Sequence, residues 1–200
     1  MLNIPKDDVW VFWPTTVCGT FPEDAGNLYL NGKRPFKIEM DFELTDETDH
    51  YKAIFNILPA YTMLKLLRDR MIFVVALEDG TKEDHNLPLL VKVNEKVFLS
   101  YEYIPGKSIK LFIYNKTTED QIEFTVNMKE KTFKIEEEPF IVFAGDNIPE
   151  HSDREHFTGV SFYDFKLYSE DILLAHHNFK EYIHDKSVDI TGNCNFIHKF

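Results

Sequence analysis

Between Phe36 and Leu44 the chain reads FKIEMDFEL, with Phe36, Ile38, Met40, Phe42 and Leu44 at one parity and Lys37, Glu39, Asp41 and Glu43 at the other. Successive side chains of a strand point to opposite faces, so this period of two predicts a β-strand with one dry and one wet side. Ile122–Met128 repeats the pattern, with Ile122, Phe124, Val126 and Met128 inward against Glu123, Thr125 and Asn127. Sheets with one wet face are characteristically antiparallel. Further strands are predicted at Ala53–Leu58, Met71–Leu77, Leu89–Val93, Val97–Tyr103, Ser108–Tyr114, Phe133–Ile135, Phe140–Phe143 and Gly159–Tyr168. Short polar or glycine-bearing breaks separate them: Glu78-Asp79-Gly80, Asn94-Glu95, Pro105-Gly106 and Gly145-Asp146-Asn147.

Two stretches carry helical signals. Ala60–Arg70 places Tyr61, Leu64 and Leu67 at helical spacing but also reads as a strand running on towards Met71, and the strand is preferred. Ser169–Phe179 predicts a short surface helix, with Ser169 as N-cap and Glu170 and Asp171 in the first turn, where carboxylates favour the helix dipole. Many short strands without helix–strand alternation, repeats or linkers predict one all-β sandwich or barrel domain spanning residues 1–200.

Composition reinforces this reading, since 18 Phe dominate an aromatic content of 14%, and aromatic and β-branched side chains pack well on a pleated surface. A formal charge of -12 repels phosphate backbones and argues against nucleic acid as a partner. The start, MLNIPKDDVW, lacks a basic region followed by an apolar one, and the longest apolar run, Met71–Leu77, is too short to cross a bilayer. A soluble chain is expected, either made in the cytosol or cut from a longer extracellular precursor. Cys18 and Cys194 lie near opposite ends and leave two states open, a disulfide between terminal strands or two reduced thiols.

The segment Phe157–Ile172, FTGVSFYDFKLYSEDI, resembles the late strand and trailing turn of concanavalin A-like jelly rolls, particularly laminin-G and pentraxin-like domains. The matching positions are Phe157, Gly159 and Val160, then Asp164, Phe165, Leu167 and Tyr168, then Ser169. Phe36–Leu44 is similar to the first long core strand of such domains, Val97–Tyr114 to their central hairpin, and Phe140–Gly145 to the strand that closes on a glycine. The chain departs from the pattern in having no Trp within the hairpin and Asn115-Lys116 where many members carry Asn-Gly. The resemblance implies an antiparallel jelly-roll β-sandwich, here with one short C-terminal helix. Within Phe157–Tyr168, Phe165 and Leu167 face inward, Asp164 and Lys166 outward, Gly159 permits a close strand approach, and Tyr168 buries its ring with the hydroxyl at the rim.

Glu39-Met40-Asp41-Phe42-Glu43 is similar to the Glu-x-Asp-x-Glu strand of laminarinase-type retaining glycoside hydrolases of the same fold. Alternation puts the three carboxylates on one face, neighbours about 6.6 Å apart by strand rise, and retaining hydrolysis needs its pair at about 5–5.5 Å. Acidic residues on the wet side of a strand also arise without any chemistry, and a solvated face is the preferred reading. Asp146, Asn147, Asp153 and Glu155 supply oxygen ligands that could hold Ca²⁺ in the polar loop Gly145–His156. His151, His156, His176, His177 and His184 match no zinc spacing and read as surface or rim residues. The sequon Asn115-Lys116-Thr117 carries little weight without a secretion signal.

Sugar binding needs rim aromatics to stack on the ring and polar groups to meet hydroxyls. Trp10, Trp13, Tyr29, Tyr61, Tyr101, Tyr103 and Tyr163 are the aromatic candidates, most of them expected to serve core or edge packing. Trp10 and Trp13, with Asp146 and Asn147, are singled out as ligand-binding. The leading expectation is a non-enzymatic, lectin-like module recognising carbohydrate or a cell-surface ligand through edge loops. The rival is a structural, decoration or attachment subunit of a virion or other assembly, whose partners are protein surfaces and identical copies.

Overall fold

The computed structural model describes residues 1–4, 10–12, 34–46, 52–58, 62–129, 131, 140–143, 159–179, 182–183, 186–187 and 196–198. These residues form sixteen strands: β1 (Leu2–Ile4), β2 (Trp10–Phe12), β3 (Phe36–Leu44), β4 (Lys52–Leu58), β5 (Thr62–Leu66), β6 (Arg70–Ala76), β7 (Lys82–Pro88), β8 (Lys96–Ile104), β9 (Ser108–Asn115), β10 (Gln121–Asn127), β11 (Phe140–Phe143), β12 (Val160–Ser169), β13 (Ile172–His177), β14 (Tyr182–Ile183), β15 (Lys186–Ser187) and β16 (Phe196–His198). One sheet runs β1-β12-β3-β8-β9-β10, with β13 also paired to β12, and the other runs β14-β15-β16-β2-β11-β4-β5-β6-β7. All strand pairs are antiparallel, and the two sheets pack face to face as a sandwich over a shared apolar core. No helix of the described residues is long and apolar enough to cross a membrane.

The alternation read from β3 is obeyed at every position: Phe36, Ile38, Met40, Phe42 and Leu44 are buried, and Lys37, Glu39, Asp41 and Glu43 are half-buried on the outer face. Its neighbours β8 and β9 alternate in phase with it, burying Val97, Leu99, Tyr101 and Tyr103, then Ile109, Leu111 and Ile113. Tyr101 sits where the sheets meet. Its ring lies 5.7 Å from Phe36 in its own sheet and 6.1 and 6.0 Å from Phe55 and Phe73 in the other. Such tilted and edge-on pairs add stabilisation beyond burial alone. The Tyr101 hydroxyl faces the buried Thr62 hydroxyl without a well-formed hydrogen bond, and burial drives the phenol far above its ordinary range.

Three expectations are corrected here. Ser169–Phe179 is not a helix: Glu170 and Asp171 both adopt left-handed φ (49° and 66°), turning the chain straight back so that β13 pairs with β12. Ser169 donates to the Pro35 carbonyl at 3.0 Å instead of capping, and burial of Leu174, Ala175 and His177 against the sandwich outweighs the local helix signals. Leu89–Val93 is likewise not a strand. The partner of β6 is the polar segment β7, in which Leu87 is the only fully buried residue, as suits a charged edge strand, and Leu89–Val93 packs as irregular chain touching β3 through a Leu44–Val93 bridge. Tyr168 lies on the outer face, its ring beneath the Lys37 ammonium at 4.4 Å.

Other expectations hold. Ala60–Arg70 contributes strand β5 before the chain turns at Leu67–Arg70 into β6. A Cβ on Gly159 would stand 2.5 Å from Thr45 Oγ1, and the Gly159 carbonyl accepts from Thr45 N–H at 3.0 Å, so the close approach read from that glycine is real. Phe133–Ile135, Cys18 and Cys194 lie outside the described residues.

Tyr101→Ala empties the contact between the sheets and is expected to cost about 3–5 kcal/mol of unfolding free energy. Tyr101→Phe removes only an unbonded hydroxyl and is expected to shift stability by less than about 1 kcal/mol. Chemical denaturation of both variants checks the pair.

Candidate functional site

The outward positions of β8 and β9 and the odd-numbered ones of β3 share the outer face of the first sheet, and on it many charged side chains are held in pairs. Lys37 Nζ meets Glu39 Oε1 at 2.9 Å, Lys110 Nζ meets Glu102 Oε2 at 3.1 Å, and Lys166 Nζ meets Asp164 Oδ2 at 2.9 Å. His176 Nε2 lies 2.7 Å from Asp164 Oδ1, and Lys116 Nζ lies 2.5 Å from Asp41 Oδ1. Each such pair contributes little to stability, but it limits where its donor and acceptor stand.

The hydrogen bond from Lys37 to Glu39 raises the lysine pKa, and that from Lys166 to Asp164 does the same there. A raised lysine stabilises the fold below its unfolded value near 10.5 and loses that contribution only as pH climbs through the folded value, so these pairs persist across the neutral range. Burial, then the interaction with Glu43, raises Tyr163, and burial followed by the Glu39 charge raises Tyr168. Both phenols stay protonated donors at neutral pH.

Two phenylalanine rings break the polar carpet. Phe98 and Phe112 point outward at wet positions of β8 and β9, half-buried, with ring centroids 6.2 Å apart. They floor a shallow groove of about 330 Å³ walled by Lys37, Glu39, Ser100, Glu102, Lys110 and Glu123. A second recess of about 240 Å³ is lined by Asp41, Phe42, Lys96, Val97, Lys116 and Tyr163. Tyr163 reaches it through a bulge: Phe162 pairs with Phe42 and Asp164 with Asp41, which leaves Tyr163 as the extra residue. Bulges re-aim side chains in this way. Its hydroxyl donates to Glu43 Oε2 at 2.9 Å.

Asn115 anchors the end of β9 beside this recess. Buried to 1% exposure, its Oδ1 accepts from the N–H groups of Thr117 and Thr118 at 2.9 and 3.1 Å, and its Nδ2 donates to the Leu90 carbonyl and Glu95. The sequon is therefore a structural turn whose amide is already engaged.

The sequence-derived candidates divide sharply. Glu39, Asp41 and Glu43 do share the outer face, each engaged by a partner: Lys37, Lys116 and Tyr163 respectively. Tyr163 is in the site. Tyr101 and Tyr103 are buried core residues and so belong with the aromatic candidates that serve packing. His177, expected at the surface or rim, is fully buried between Phe165 and Phe179. Trp10 lies in β2, paired to β11 and β16, and its side chain, with Trp13, Tyr29, Tyr61, Asp146, Asn147, Asp153, Glu155, His151, His156 and His184, falls outside the described residues. Among the described residues no cluster of His, Cys, Asp or Glu is arranged to hold a metal ion. Sequence reasoning missed Phe98 and Phe112, although their parity within β8 and β9 was the available signal.

No protein-family model and no curated protein sequence matches the chain. Solved structures share the fold. The binding domain of Paraclostridial Mosquitocidal Protein 1 superposes with a TM-score of 0.52 at 13% identity over 70% of this chain and 35% of that one. The binding domain of botulinum neurotoxin serotype D gives 0.51 at 9% identity over 85% and 41%. Tailspike protein 2 of the Escherichia coli O157:H7 bacteriophage CAB120 gives 0.51 at 14% identity over 68% and 20%. The chain thus spans less than half the length of each of these structures.

Asn115→Ala leaves buried backbone groups unpaired and is expected to cost about 2–3 kcal/mol, measurable by denaturation, with Asn115→Asp recovering the Oδ1 contacts and losing less.

Proposed function

We propose that the chain is a non-enzymatic, lectin-like binding module of concanavalin A-like jelly-roll type that docks carbohydrate on the outer face of the first sheet. The carrying observation is the Phe98–Phe112 pair, two aromatic rings kept at solvent-facing positions inside a groove walled by fixed carboxylates and ammonium groups. Aromatic faces stack on the C–H surface of a sugar ring, and charged groups already held by partners offer its hydroxyls donors and acceptors of set direction. This sheet face lies among the described residues, whereas the loop Gly145–His156 lies outside them. Two of the similar folds are binding domains, one of a mosquitocidal protein and one of a botulinum neurotoxin, which supports a recognition role for the scaffold.

Glycoside hydrolysis fits the geometry poorly. A retaining pair requires one carboxyl kept protonated and one carboxylate free to attack. Glu39 and Asp41 each face an ammonium group, and Glu43 accepts from Tyr163. A second reading, an assembly subunit, is favoured by Ile172 and Leu173, which are 64% and 38% exposed at the tip of the β12–β13 hairpin.

On a glycan array the protein is expected to retain at least one oligosaccharide without cleaving it. Phe98→Ala and Phe112→Ala are each expected to weaken that binding about tenfold or more by calorimetry, a change of about 1.4 kcal/mol, with little effect on melting temperature. Absence of glycan binding, together with self-association that Ile172→Lys abolishes, would replace this reading with the assembly one.

A further inference from the structure

Lys96 and Lys116 stand opposite each other across the β8–β9 pair. Val97 is the register partner of Asn115, and the Lys116 N–H donates to the Lys96 carbonyl at 2.7 Å. Like charges placed directly across a ladder repel and destabilise it. One of the two is relieved, because Lys116 meets Asp41. Lys96 has no carboxylate at ion-pair distance among the described residues: Glu43, its register partner on β3, accepts from the Tyr163 hydroxyl, and the Lys96 ammonium lies over the Tyr163 ring, 5.6 Å from its centre. The recess between these groups therefore holds two ammonium groups against one carboxylate at ion-pair distance, in a protein whose overall charge is -12.

We infer that this recess takes the carboxylate of an acidic sugar, with Lys96 and Lys116 donating to its oxygens and the Tyr163 ring packing on the sugar. The inference rests on the reading of the outer face as a carbohydrate platform. A singly charged carboxylate gives Lys96 the ion pair it lacks and relieves the cross-strand repulsion. Asp41 and Glu43 repel any anion placed here, and a doubly charged phosphate about twice as strongly as a carboxylate. The recess adjoins the aromatic groove, since the Lys116 ammonium lies 5.7 Å from the centre of the Phe98 ring, so one oligosaccharide can place a carboxylate over the lysines and its next unit over Phe98 and Phe112.

The test uses matched probes: a galacturonate hexamer and its carboxyl-reduced form, sialyllactose and lactose, and lactose sulfate. At least one acid form is expected to bind about fivefold to tenfold more tightly than its neutral counterpart, roughly the gain of one charge-assisted contact. That preference is expected to shrink between 50 mM and 500 mM salt, to vanish in Lys96→Gln, and to survive in Lys96→Arg. Equal affinity for acid and neutral forms, a preference unaffected by Lys96→Gln, or strongest binding of the sulfate would overturn the assignment. If Phe112→Ala still abolishes binding in those cases, the aromatic platform stands while the acidic subsite falls. Retention by Phe112→Ala, or no binding of any glycan on the array, brings down the platform and the subsite with it, and binding of array glycans but of none of these probes brings down the subsite alone.

Discussion

The contact between Tyr101 and the rings of Phe36, Phe55 and Phe73 is the constraint from which the rest follows. It ties an inner strand of one sheet to two strands of the other through fully buried side chains. Side-chain period in a strand is two, so fixing Tyr101 inward fixes Ser100 and Glu102 outward, and the ladder transmits that phase to β3 and β9. A slip of one residue would bury Glu39 and Glu102 and expose Phe36 and Tyr101. The wet face is thus positioned by the dry one.

Given that frame, the places where alternation is broken or is used against type carry the functional signal. The bulge at Tyr163 adds one residue to β12 and turns a phenol towards Glu43 and Lys96. Phe98 and Phe112 keep the alternation but put aromatic rings where solubility alone would choose polar residues. The opposed lysines at the β8–β9 end accept a repulsion that ordinary ladders avoid. These departures lie together on one face, beside a turn held by the buried Asn115.

The long strands were legible because their periodicity is strict: β3, β8, β9 and β10 appear where alternation puts them. What escaped notice had weaker or conflicting local signals. β7 reads KEDHNLP and owes its strand form to pairing with β6 and not to its own apolar content. β13 follows helix-capping residues, Ser169 to Asp171, whose preference is overridden by a tight turn and by burial of His177 and Ala175. At the site, the three carboxylates of β3 were visible as a motif, whereas their pairing with Lys116 and Tyr163 depends on contacts across 75 and 120 residues of chain that no local pattern encodes. Tyr101 and Tyr163 were indistinguishable as aromatic candidates until one proved central and the other bulged.

The most direct measurement is a ¹H–¹³C and ¹H–¹⁵N NMR titration with the tightest glycan from an array, following ring and backbone signals together. Shifts concentrated on Phe98, Phe112, Tyr163 and the adjoining outward residues of β3, β8 and β9, with the Tyr101 ring unmoved, are the expected result. Shifts confined to residues outside that face, or to the β12–β13 hairpin tip, would contradict it.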